Sequence, residues 1–262
     1  MAAEGSGIDP MHQFLVEPVM GHRLVMHGYD ISFTNSALFM VITAALLWLF
    51  MLGGMQRKLV PGRWQAAVEG MTGFVQDMMK TNVGPEGKKF VPYIFSLFMF
   101  LLFANLVGLF PLAVVPGLHP FAVTSHISLT AILAFFSFGM VLVVGFWRHG
   151  LHFFSLFVPH GTPWYIAIIV TPIELMSFLV RPFSLGLRLF VAMTAGHILL
   201  DVFASFVVQG LNAGPGIGWV VSFFSFLMIV GVSALELLVA AIQAYVFALL
   251  TSLYLNDAVN LH

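Results

Sequence analysis

Between residues 163 and 256 the chain is apolar apart from a few groups that could do chemistry: Glu174, Arg181, Arg188, His197, Asp201, Glu236 and the amide Gln243. Ionisable side chains at bilayer depth each cost kcal/mol and mark ion or proton pathways by default. Glu174, Arg181 and Arg188 are seven apart, so they drift only about 20° per step and form one helical stripe. His197 is nine residues past Arg188, about 900° of rotation, which puts it on the opposite face of a regular helix. Glu236, Gln243 and Asp257 repeat at seven and fourteen and form a second stripe. Acids, a histidine and a fixed cation in this setting could relay protons or hold an anion.

Arg188 resists a purely structural explanation. It lies midway along a long apolar segment between Leu187 and Leu189, and a guanidinium stays charged at any physiological pH. It needs an anion, which is expected from outside this chain. Blander readings fit the others. Arg181 reads equally as snorkelling toward headgroups, Asp201 as solvated at the outer interface, and Gln243 as an interhelical hydrogen-bonding residue. His126, His149, His152 and His160 fall at span ends and read as interfacial histidines rather than metal or haem ligands.

The elements that must hold these groups follow from composition. Of 262 residues, 60% are hydrophobic and 8% charged, against roughly a quarter charged in a soluble domain. A soluble enzyme is excluded. With 10 Lys+Arg against 11 Asp+Glu there is no basic excess for phosphates, which excludes a nucleic-acid binder. The absence of cysteine removes disulfides, thiolate catalysis and cysteine-ligated metal. The class is an all-α polytopic membrane protein.

Five crossings are expected, over about 33–54, 90–111, 127–147, 163–209 and 217–256, each at or above the ~20 residues that span a bilayer. The last two are about twice that length and lack internal turn signals. They are read as two long, tilted helices in a hairpin closed by the Gly-rich segment 210–218. An apolar stripe of Trp64, Val68, Met71, Phe74, Val75 and Met78, interleaved with Arg63, Glu69, Asp77 and Lys80, predicts an amphipathic helix over about 61–84 on the cytoplasmic surface. Residues 1–32 read as an N-terminal outer-side segment and 33–262 as one membrane domain. Glu4 and Asp9 without a basic residue beside them argue against a cleavable signal. Arg57, Lys58, Arg63, Lys80, Lys88, Lys89 and Arg148 all fall in the first and third connections. Basic loops stay cytoplasmic, so the N-terminus is expected outside and the C-terminus inside. A hairpin centred near residue 215 places Arg188 level with Gln243, His197 with Glu236, and Glu174 with Asp257. Regular rotation must still bring His197 and Glu236 together.

At these residues the sequence resembles the subunit a family of F-type ATP synthases, the stator of the proton channel. Arg181-Pro-Phe-Ser-Leu-Gly-Leu-Arg188-Leu-Phe-Val-Ala-Met-Thr-Ala-Gly-His197 is similar to the family's penultimate helix. Leu238-Val-Ala-Ala-Ile-Gln243 onward to Asp257 is similar to its last, and Asn105-Leu-Val-Gly-Leu-Phe-Pro111 is similar to a weaker signature. The resemblance covers most of the chain from about residue 30 and is of the bacterial, mitochondrial-like kind.

It implies a non-catalytic subunit without cofactor or metal, in the bacterial inner (plasma) membrane, beside c-ring rotor subunits, subunit b of the peripheral stalk and other ATP synthase subunits. Arg188 would face the rotor carboxylate, and Gln243 would neighbour that arginine. His197 and Glu236 would serve the outer half-channel and Glu174 the inner one. Many bacterial members place Glu on the penultimate helix and His on the last; here the order is reversed. Gly108 stands where some members have an aspartate, so the outer path is expected to lean on His197, Glu236 and water.

Three rivals stay in view. A secondary transporter of an anionic substrate would also use intramembrane Arg, Glu and His, but the chain shows no internal repeat. A haem or quinone subunit needs paired deep histidines. An intramembrane protease would have to draw on Ser184 and His197, thirteen apart and without a motif.

Overall fold

Apolar runs bounded by glycine, proline and polar residues set the helix ends. The computed structural model describes residues 25–26, 29–30, 32, 34–55, 60–109, 123–150, 153, 164–214 and 216–260. In chain order come a two-residue antiparallel ladder of β1 (Val25–Met26) and β2 (Tyr29–Asp30), then α1 (Asn35–Gly54), α2 (Arg63–Asn82) and α3 (Val91–Leu109). They are followed by α4 (Ile127–His149), α5 (Trp164–Asn212) and α6 (Ile217–Val259). Short 3-10 turns at Pro85–Phe90 and Val123–Ser125 lead into α3 and α4.

Among the described residues, five helices are long and apolar enough to cross a membrane. The all-α polytopic architecture is the one expected. The 49 residues of α5 and 43 of α6 correspond to about 73 and 65 Å of helix, more than twice a ~30 Å hydrocarbon core. Each stays one helix, and α5 runs on through Pro172 and Pro182.

At the hairpin apex the glycines have a steric reason. Gly214 and Gly216 adopt φ of 84° and 121°, a region open mainly to glycine. A Cβ on Gly210 would stand 2.6 Å from the Gly218 carbonyl oxygen, so the two helices meet backbone to backbone there. Ser222 Oγ donates to Val207 O at 2.9 Å across the same junction.

α3 is the most enclosed span. It packs on α6, where Ala240, Ala244 and Ala248 are fully buried; small side chains let membrane helices approach closely. The amphipathic α2 sits against this bundle. Gln65, Val68, Val75, Met78 and Met79 face inward, whereas Arg63, Glu69, Asp77 and Lys80 are exposed. Trp64 and Phe74, expected on the apolar stripe, flank it instead with half their surface exposed. Trp64 is held by donating Nε1–H to Phe50 O at 2.8 Å. Gly54 makes the α1–α2 seat possible, because a Cβ there would run into the Val68 side chain.

One end of the bundle is tied by polar contacts. Glu86 pairs with Arg148, and Asn82 Nδ2 donates to Ser252 Oγ at 2.9 Å. Asn260 Nδ2 donates to Val83 O at 3.4 Å, and His149 Nε2 lies 3.2 Å from Val259 O. The Val259 carbonyl, one of those at the end of α6 that lack a partner within their own helix, is thus met by a side chain of α4.

Candidate proton-translocation site

The rotation of α5 sorts its side chains. Phe178, Pro182, Leu185, Leu189, Met193 and His197 recur at threes and fours and are buried. Arg188 is exposed on the other side, with Arg181 half-buried at the boundary, and Glu174 is exposed one turn before Phe178. Arg188 is the midpoint of the 49-residue helix and forms no ion pair with any described residue. Its opposition to His197 is the one the nine-residue spacing requires.

His197 and Glu236 meet across the hairpin. His197 Nδ1 is 3.5 Å from Glu236 Oε1, with side chains 10% and 2% exposed. That distance suits an ion pair better than a strong direct hydrogen bond. His197 Nε2 and both Glu236 carboxylate oxygens are buried without a hydrogen-bond partner among the described residues. Gly196 makes the approach possible: a Cβ there would stand 2.5 Å from Glu236 Oε1.

Below Glu236 on the same face of α6 come Ala240 and Gln243. Asn105, fully buried on α3, donates Nδ2–H to Ala240 O at 3.0 Å. Asn105 Oδ1 and Gln243 Nε2 are also buried and unpaired among the described residues. Glu236, Asn105 and Gln243 therefore form a descending line of polar groups inside an apolar bundle. Buried unpaired polar atoms are expensive and call for water or a partner. Gln243 faces this interior while Arg188 faces outward, and no hydrogen bond joins them among the described residues.

The extrapolated register is wrong at the other end. Asp257 does not meet Glu174; it accepts a hydrogen bond from Arg181 Nη1 at 2.8 Å, about two turns nearer the apex. The expectation rested on straight, level helices. Pro182 lies between the apex and both residues on α5, where it removes a backbone donor and disturbs the preceding turn. Arg181 is consequently ion-paired rather than snorkelling. Its guanidinium carbon also lies 5.6 and 5.1 Å from the Phe178 and Tyr254 ring centroids. Glu174 stands exposed and forms no ion pair with a described residue.

Sequence reasoning overlooked two contributors. Asn105 was visible as a lone amide in an apolar span, the same signal that singled out Gln243. Gly196 carried none, since its role depends on which side chain crosses from α6. Of the span-end histidines, His149 engages Val259 O and His126 precedes α4. His152 and His160 lie outside the described residues. No group of three His, Cys, Asp or Glu is placed to hold a metal among the described residues.

Comparison with known proteins places this arrangement. The family model described as ATP synthase A chain matches residues 37–256. The chain is 66% identical over 262 residues to ATP synthase subunit a of Rhizorhabdus wittichii, covering all of both chains. It is likewise 66% identical to the protein of that name from Sphingopyxis alaskensis, again over the whole of each. Against the Rhodospirillum rubrum protein of the same name, identity is 44% across 97% of this chain and 99% of the relative. The transporter reading finds no support in these matches. The chain belongs to the ATP synthase subunit a family, the proton-channel stator of the F-type enzyme's membrane sector, and works with other ATP synthase subunits.

Proposed function

We propose that this chain is a non-catalytic stator in which Arg188 faces the ionisable carboxylate of a c-ring rotor, with two offset half-channels on either side of it. The observation that carries the reading is Arg188 itself: exposed, central on α5 and without an ion-pair partner among the described residues. A fixed cation in an apolar belt needs a counter-charge. A neighbouring subunit is the source left for it.

The chemistry follows from solvation. A rotor carboxylate crossing lipid must carry its proton, because a bare carboxylate in hydrocarbon is prohibitive. Beside Arg188 the charged form is favoured: two unit charges ~4 Å apart attract by ~4 kcal/mol at an effective dielectric of ~20. The proton departs toward the inner half-channel, where Glu174 is exposed. Past Arg188 the carboxylate is reprotonated through Glu236 and His197 and returns to lipid. A small side-chain shift closes their 3.5 Å separation to hydrogen-bond length. Gln243 and Asn105 extend the polar line from Glu236 toward the level of Arg188. Arg188 does not release its own proton, so the two paths do not short-circuit. The driving force is ~2.3 kcal/mol per charge per ~100 mV.

The positive-inside rule places the basic connections, and with them the C-terminus, in the cytoplasm of a bacterial inner membrane, with the N-terminus outside. A stator under torque must be anchored, which assigns subunit b of the peripheral stalk as a second neighbour.

Because the chain has no cysteine, single cysteines can be placed at will. Cysteines at Val191 and Ala195, exposed on the Arg188 side of α5, are expected to crosslink to cysteines in the co-purifying ring protein. Cysteines at buried Leu189 and Met193 are expected not to. Crosslinking from the buried pair alone would refute the assigned face.

A further inference from the structure

The α5 stripe that carries Arg188 holds a second guanidinium, Arg181, seven residues away and about 10.5 Å along the axis. A rotor carboxylate attracted by one has reason to be attracted by the other. The two are treated differently by the fold. Arg181 Nη1 is 2.8 Å from Asp257 Oδ2, with side chains only 28% and 38% exposed. Phe178 and Tyr254 flank the same guanidinium within 5.6 and 5.1 Å of their ring centroids. A carboxylate and two ring faces together neutralise a cation and hold it in place. Arg188 has no ion pair and no ring stacked on it among the described residues.

We infer that Asp257 is a charge-masking residue: by pairing with Arg181 it leaves Arg188 as the one uncompensated guanidinium on α5, so that a rotor carboxylate meets a single attractive station. This rests on the reading of Arg188 given above. Without Asp257, Arg181 becomes a competing station two turns toward the inner side. A carboxylate drawn there is held away from the position where it changes protonation, and rotation slows. Asp257 is thus a positioning residue that acts through Arg181 and never touches the proton.

An interhelical clasp would use the same pair, and the two roles separate by mutation. If Asp257 masks charge, the fault in Asp257→Asn is the freed cation, so removing that cation as well repairs it. If the pair is a clasp, losing either partner does equal harm and losing both repairs nothing. The experiment measures ATP-driven acidification of inverted membrane vesicles containing the whole synthase, normalised to assembled complex. Asp257→Asn is expected to slow pumping by about fivefold, the upper end for a partly exposed pair. Arg181→Gln is expected to keep more than half the rate, and the Arg181→Gln/Asp257→Asn double variant to pump faster than Asp257→Asn alone. Failure of Asp257→Asn to assemble, with the double variant assembled and pumping, marks the pair as a support of the fold and overturns the inference. A double variant no better than Asp257→Asn, or unassembled with it, overturns the inference. Arg188→Ala in the same series separates the layers. Pumping by that variant removes the underlying reading of Arg188. Its inactivity alongside equally impaired Asp257→Asn and double variants removes only the masking role.

Discussion

His197 on α5 and Glu236 on α6 are buried against each other, Nδ1 to Oε1 at 3.5 Å, although 39 positions separate them in the chain. The pair works as a relay only if both groups serve one path. Exchanging them, His197→Glu with Glu236→His, preserves one acid and one imidazole in the same space. The exchange is expected to retain more ATP-driven proton transport than either single alanine variant. Equal or greater loss in the exchanged protein would argue that they do not share a path.

Gly196 gives Glu236 its room. A methyl group there would press on Oε1 at 2.5 Å, and overpacking of this kind costs about 1–3 kcal/mol. Gly196→Ala is expected to impair pumping severely, and adding Glu236→Asp, which draws the carboxylate back, to recover part of it. Normal pumping by Gly196→Ala would show that the carboxylate has space to spare.

Asn105 joins α3 to α6 through Ala240 O at 3.0 Å and adds an acceptor that is unpaired among the described residues to the polar line. Interhelical hydrogen bonds of this type average about 0.6 kcal/mol, too little to hold the subunit together. Asn105→Leu should therefore assemble normally but conduct protons several-fold more slowly through membranes stripped of the soluble sector. Loss of assembly without loss of conduction per complex would make Asn105 purely structural.

Gly54 tests packing away from the site. Its Cβ position is filled by Val68 of α2, so Gly54→Leu is expected to displace the amphipathic helix and lower the amount of assembled subunit in membranes. Restoring space with Val68→Ala should raise it again. An unchanged yield in Gly54→Leu would mean that α2 can reseat elsewhere.

Much of this was legible in the residues because membrane helices obey strong local rules. Apolar run lengths gave the five long helices, and the seven- and nine-residue spacings put Arg188 and His197 on opposite faces of α5. That His197 lies level with Glu236 needed only the hairpin and its glycine-rich apex, whereas their meeting depended on helix rotation as well. Asp257 escaped the same extrapolation: register is fixed near a turn and loses certainty with distance, and Pro182 intervenes on α5. Gly196 was silent because a glycine's meaning lies in what approaches it. The outward face of Trp64 depended on a side-chain bond to Phe50 O that helical periodicity does not encode.

If Arg188 supplies the charge opposite the rotor carboxylate, the Arg188→Ala variant loses proton translocation outright. The measurement is ATP-driven acidification of inverted vesicles, with assembled synthase quantified in the same membranes. The expected result is an assembled complex that pumps no protons. An assembled Arg188→Ala complex pumping at the wild-type rate would contradict it.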